Sequence, residues 1–282
     1  SLHDGACRIR DIMARVREAG QTAVAITDHG VMYGAVDFYR AAKAAGIKPI
    51  IGCEVYVAPR TRFDRDPELD TRPMHLVLLA ENQTGYKNLC YLVSTAYIEG
   101  FYNRPRVDMD LLEAHHEGLI ACSACVAGAV PRLILERNYD GARDLALEYQ
   151  RIFGKGNYFL ELQNHGMQEE LEVNAGLQRI AQETGIGLIA SNDVHYLRRE
   201  DAYVQDVMMC IQTGHTVDET DRLRYDSSEL YLKTADEMAA LFPDYPEALA
   251  NTVRIAERCN VEFEFGVYHL PEYKTTDPRD HY

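Results

Sequence analysis

The stretch "AVAITDHG", residues 23–30, is an apolar run that stops at an acid, an imidazole and a glycine. Its apolar part has the length of a buried strand and is too short for a helix. Before it, Ile9, Ile12, Met13 and Val16 recur at helical spacing up to Gly20, and after it Ala35, Val36, Phe38, Tyr39 and Ala42 do the same up to Gly46. "KPIIGCEVYVA" (48–58) is again of strand type. The alternation continues through "MHLVLLA" (74–80), a helix over "TGYKNLCYLVSTAY", then "GLIACSA" (118–124), "NYFLELQ" (157–163) and "GIGLIASND" (185–193), with helical patterns around the last two. Six strands, nearly all separated by helices, predict a parallel α/β sheet, either doubly wound or closed as a barrel. "RTRFDRDPELDTRP" (60–73) and "EGFYNRPRVDMD" (99–110) are polar, proline-containing excursions of the kind that serve as functional loops. Further on, Thr234 and Glu237 form a capping-box pattern, Pro246 suits a first helical turn, and "YHLPEYKTTDPRDHY" (268–282) reads as an exit linker.

With 282 residues, 46% hydrophobic and 26% charged, the chain has the composition of a globular protein, and it contains no apolar stretch of membrane-spanning length. The formal charge of -15 disfavours broad, sequence-blind contact with phosphates, so any nucleic-acid role is local or delegated. Seven cysteines (Cys7, Cys53, Cys90, Cys122, Cys125, Cys210 and Cys259) are odd in number and scattered through apolar segments, which suits reduced thiols and a cytoplasmic setting. The opening "SLHDGACRIR" carries neither a signal peptide nor a methionine and reads as an N-terminal truncation.

In parallel α/β folds chemistry gathers at the carboxyl ends of strands. Those ends hold Asp28 and His29; Ser123 and Cys125; Gln163, Asn164 and His165; and Asn192, Asp193 and His195, while Glu54 lies within "IIGCEVY". One such residue is most often a helix cap or a satisfied polar contact; the combination points to metal. In "NDVHY" residues two apart on an extended segment face the same side, which would place Asp193 with His195. Glu54, among Ile50, Ile51, Val55 and Val57, would cost several kcal/mol to bury unpaired and so needs a cation or a dense hydrogen-bond network. Cys122 and Cys125 are spaced C-x-x-C, but no second pair completes a structural zinc site; Ser123 and Cys125 are expected on one face, Cys122 in the core. His75 opens its strand instead of closing it, so spacing leaves it open between structural and functional. Tyr86, Tyr97, Phe101 and Tyr102 have the chemistry to stack on bases, although such residues more often anchor core or loops.

The segments "AITDHGVMYGAVDFYRAAKAAGIKPIIGCEVYVAPRTRFDR", "HLVLLAENQTGYKNLCYLVSTAYIEGFYNRPRVD", "GLIACSAC", "NDVHYLRREDA" and "LFPDYPEALANTVRIAERCNVEFEFG" resemble the PHP (polymerase and histidinol phosphatase) domains at the N-terminus of bacterial replicative DNA polymerase III alpha subunits. The resemblance covers essentially the whole chain, and its last segment is of the polymerase lineage. It implies a distorted seven-stranded (β/α) TIM-like barrel over 1–265, the PHP fold, followed by an exit linker over 266–282 towards a polymerase palm beyond Tyr282. It also implies up to three divalent metals at the strand ends, held by Asp4, His29, Glu54, His75, Cys125, Asp193 and His195, with Asp28 and Asn192 behind them. An H-x-H strand that the family carries just upstream of "SLLDGA" would be missing here, and His3 would be a surface histidine where the family has an apolar residue.

The activity so implied is metal-assisted phosphoester hydrolysis, either of a DNA 3' end as a proofreading exonuclease or of pyrophosphate. Soft and borderline donors favour zinc, manganese or iron, with magnesium serving the DNA-directed DNA polymerase of the parent protein. That nucleotidyltransferase activity would lie outside this chain. The expected partners are the rest of the alpha subunit, the proofreading exonuclease and other replicase subunits, and DNA through the parent protein. The rival expectation is a catalytically silent module that stabilises the polymerase and docks the exonuclease; a free-standing histidinol-phosphatase-like enzyme is disfavoured by the C-terminal segment.

Overall fold

The computed structural model describes residues 4–268 and Leu270, so His3 and most of the expected exit linker over 266–282 lie outside the described residues. The elements run α1 (Ile9–Glu18), β1 (Ala23–Ile26), α2 (Ala35–Ala45), β2 (Lys48–Val57), β3 (Met74–Ala80), α3 (Gln83–Ile98), β4 (Arg106–Val107), α4 (Met109–Ala114) and β5 (Leu119–Cys122). They continue with α5 (Ala129–Leu135), α6 (Tyr139–Phe153), β6 (Tyr158–Leu162), α7 (Gln168–Thr184), β7 (Gly187–Ala190), α8 (Ala202–Thr213), α9 (Ala235–Leu241) and α10 (Pro246–Arg258). Local chemistry sets the boundaries. Gly46 closes α2 in the left-handed conformation, the Asn82 and Asp108 side chains cap α3 and α4, the Thr234–Glu237 box opens α9, and Pro246 starts α10.

The strands form one sheet in the order β1-β2-β3-β5-β6-β7, with β4 beside β2. Pairs β1–β2, β5–β6 and β6–β7 are parallel as expected, but β3 is antiparallel to both β2 and β5. The all-parallel expectation fails there for a simple reason. Parallel neighbours need a crossover helix, and the 58–73 connection contains none, so the chain turns back on itself. The second loop also holds more structure than its sequence suggests: Arg106 and Val107 pair in parallel with Tyr56 and Val57, a two-residue strand too short to leave an alternating pattern.

The sheet curls into an open barrel whose two faces differ. Cys53, Val55, Leu76, Leu78, Ala121, Leu160 and Leu162 face outward into a core shared with α3 and α5 to α7. Ile50, Leu79, Ile120, Cys122, Phe159 and Ile189 face inward and pack on Ile255 of α10 and on Cys259 just past its end. Strand alternation then puts Glu54, His75 and Glu161 on the same inner face, beyond this apolar floor. Among the described residues β1 pairs only with β2 and β4 only with β2, and β7 only with β6. The Ala6 amide donates to the His195 carbonyl (2.7 Å), laying the start of the chain against the end of β7.

Candidate metal centre

His29 lies three residues past β1, in a segment that still follows β2: the Glu54 amide donates to the Asp28 carbonyl (3.1 Å) and the Gly30 amide to the Glu54 carbonyl (2.8 Å). The turn behind it requires glycine. Gly30 has φ 65°, and a Cβ there would meet Pro105 at 3.0 Å and Tyr56 at 3.1 Å. His29 is thus held rigidly over Glu54, whose Oε2 touches His29 Nδ1 and lies 3.3 Å from His75 Nδ1. On its other side His29 Nε2 is 3.1 Å from Asp4 Oδ2, itself 3.7 Å from His195 Nε2. Candidate ligand atoms of Asp4, His29 and His195 lie within 4.8 Å of one another, as do those of His29, Glu54 and His75. His29 belongs to both groups. Cys125 Sγ joins at the edge, 3.6 Å from His75 Nδ1, and Asp193 joins through Oδ1, 3.8 Å from His195 Nδ1.

The place of His75 follows from the strand reversal. Because β3 is antiparallel, its first residues lie at the edge where β2 ends, with His75 opposite Tyr56. Asp193 and His195 are together, but not through the pleat: Asp193 has φ 41°, a left-handed turn rare for a non-glycine residue and recurrent at functional sites. Likewise Ala124 at φ 61° breaks the alternation between Ser123 and Cys125, and Ser123 Oγ instead accepts the Glu161 amide (2.8 Å). Cys122 is in the inner apolar cluster, as expected.

Electrostatics bind the group together. Burial opposes the His29 imidazolium, yet Asp4 and Glu54 hold its pKa up to about 10. Burial likewise opposes the Glu54 carboxylate, yet His29 and His75 bring it down to about 2. For Asp4 the penalty of burial is outweighed by His195 and His29, which hold it below the usual carboxylate range. Burial drives the Cys125 thiol well up, reinforced by Asp193 and Glu54, so a thiolate there needs a cation beside it.

The residues fit a metal. His29 Nδ1 is buried and makes no aligned hydrogen bond among the described residues even though it touches Glu54 Oε2, so the two groups converge on shared space instead of facing each other. The set mixes carboxylate, imidazole and thiol donors. His195 Nδ1–H donates to the Asp193 carbonyl (2.6 Å), which leaves Nε2 with the lone pair on the side of Asp4 in the neutral ring.

The supporting residues are also placed. Asp28 presents its carboxylate to the start of α2, 3.6 Å from where a Cβ of Gly34 would be. Asn192 Nδ2 donates to the Glu229 and Tyr231 carbonyls (both 2.7 Å), anchoring the turn that carries Asp193. His165 is not drawn into the centre: it pairs with Glu170 (2.5 Å) and donates to the Asn192 carbonyl (3.0 Å). Gln163 donates to Glu161 and Ser191, while Tyr86 packs on Phe263 as a core anchor. Glu161 escaped the sequence reading. It is a buried acid on the inner face of β6, with Oε1 accepting from Ser191 and Oε2 lacking a hydrogen-bond partner among the described residues. The signal is present in "YFLEL", where Glu161 is an acid inside an apolar strand just as Glu54 is in "IIGCEVY".

The PHP domain family profile matches residues 1–165. The chain is 47% identical over 275 residues to the DNA polymerase III subunit alpha of Treponema pallidum, covering 97% of this chain and 24% of that protein. With the same subunit of Thermus aquaticus it is 43% identical over 289 residues, covering 99% and 24%. It therefore spans about a quarter of the length of the curated relatives it matches. Among solved structures it is similar to an amidohydrolase from Chromobacterium violaceum, with a TM-score of 0.43 at 14% identity, covering 68% of this chain and 84% of that one.

Proposed function

This chain belongs to the PHP domain family, and from that premise we propose that it forms the N-terminal PHP region of a bacterial replicative DNA polymerase III alpha subunit and carries a multi-metal phosphoesterase centre. The observation that carries the reading is His29, shared between two groups of potential ligands. Asp4, His29, Glu54, His75, Cys125, Asp193 and His195 are the proposed ligands of up to three divalent ions, and the donor set favours zinc, manganese or iron. Bound ions would supply Lewis acidity and a water of lowered pKa. The chain's own residues set where that happens: Glu54 and Asp4 fix His29 from two sides, and the left-handed turn at Asp193 orients His195. The proposed substrates are a DNA 3' end and pyrophosphate.

The DNA-directed DNA polymerase activity, with its magnesium, is proposed for the remainder of the parent protein, and with it the contacts to the proofreading exonuclease, other replicase subunits and DNA in the cytoplasm. The proposed domain is 1–265, with 266–282 leading out of it. In the full-length protein, Asp193→Asn should lower bound metal in elemental analysis and slow 3' hydrolysis of a labelled oligonucleotide by about 100-fold. A full-length protein that binds no stoichiometric metal, with hydrolysis untouched by the substitution, would leave the silent scaffold in its place.

A further inference from the structure

Beside the metal centre runs a ledge that the proposed ligands do not use. Tyr56, buried at the end of β2, stacks on His29 (centroids 6.3 Å apart) and meets His75 edge-on (5.2 Å). The Arg104 guanidinium carbon lies 5.7 Å from the centre of that same ring. Neighbouring arginines are occupied: Arg60 by Asp70, Arg62 by Glu99 and Asp108, and Arg106 by the Gly100, Asp70, Arg62 and Asp64 carbonyls. No hydrogen bond or carboxylate partner of the Arg104 side chain is found among the described residues, in a chain of net charge -15 where acids outnumber bases. Burial, reinforced by Tyr33, raises the pKa of the Tyr97 hydroxyl, and the Arg104 charge opposes the shift, which puts all three in one neighbourhood. Tyr97 stacks on Phe101 with centroids 6.1 Å apart, and Tyr33, Tyr97 and Phe101 are 77%, 40% and 50% exposed.

We propose that this ledge positions the substrate of the phosphoesterase: Arg104 takes a phosphate oxygen next to the scissile one, and the exposed Tyr33–Tyr97–Phe101 rings stack on a nucleobase. The inference rests on the phosphoesterase reading and separates its two substrates. Pyrophosphate offers charge for Arg104 but no flat face for the rings, whereas a polynucleotide end offers both. A fork of donors beside aromatic faces is how a single strand is held locally by a protein too acidic to track its backbone broadly.

The test uses the full chain and two readouts. In EDTA, where hydrolysis is off, anisotropy of a 5'-fluorescein oligothymidylate should show binding weakened about tenfold or more by Arg104→Gln and by Tyr97→Ala, while Tyr97→Phe binds like wild type. With metal, the same two substitutions should raise KM for the oligonucleotide by a larger factor than they lower kcat. Tyr97→Phe and an intermediate Arg104→Lys guard against loss of fold. Oligonucleotide binding that is indifferent to both Arg104→Gln and Tyr97→Ala overturns the proposal, as does an Arg104 effect on pyrophosphate with none of Tyr97 on the strand. If Arg104 and Tyr97 govern binding but no substrate is hydrolysed, the ledge stands and the phosphoesterase reading falls.

Discussion

Glu161 carries an ionisable group onto the buried inner face of β6, and burial, reinforced by the Asp193 charge, raises its pKa to about 7 against the hydrogen bond from Ser191. An unfolded glutamate titrates near 4.3, so between roughly pH 4.3 and 7 the folded chain holds a proton that the unfolded chain has lost. Stability contributed by this group is therefore full below that window, falls as pH rises through it, and is flat above. The whole step is of order 3 kcal/mol. Glu161→Gln, which keeps the shape and stays neutral, should remove it: in EDTA, the stability difference between variant and wild type in urea should grow in the variant's favour from pH 4.5 to 7. A difference that does not change with pH would mean that Glu161 is already ionised in the folded chain.

At the scale of elements, the reversal of β3 does most to assemble the centre, since it brings the first turn of one strand level with the last turns of the others. The loop between β5 and α5 must then close tightly against the start of β3. The Gly128 amide donates to the Cys125 carbonyl (2.8 Å) and the His75 amide to the Ala127 carbonyl (3.1 Å), and a Cβ on Gly128 would run into the Ser123 carbonyl. Gly128→Ala should cost about 1–3 kcal/mol by overpacking against backbone, and should draw Cys125 away from His75. The expected result is a lower Tm together with weaker metal binding in a titration. A variant with wild-type Tm and metal content would show that the loop has slack the geometry does not suggest.

Over the whole molecule, the proposed ligands come from the start of the chain and from the ends of β1, β2, β3, β5 and β7, so bound cations would tie β7 and the start of the chain to β1, β2 and β3, with which β7 shares no strand pairing among the described residues. Metal at a hundredfold excess over its Kd should add about 2.7 kcal/mol, or several degrees in Tm for a chain of this size, and EDTA should take it away. A Tm indifferent to both would mean that the ions, if held, do not brace the barrel. The positions of six of the seven strands, several helix caps and stops, and the acid at Glu54 were legible in the sequence, because each depends on residues a few positions apart. So was the set of acids and imidazoles near strand ends, with the resemblance adding Asp4 and His75. The rest was decided only by tertiary structure, because it depends on which way a chain runs past a distant partner. The direction of β3 placed His75, left-handed turns at Ala124 and Asp193 aimed Cys125 and His195, and His29 became the residue two groups share when the "AVAITDHG" segment and the start of the chain closed over the same edge of the sheet.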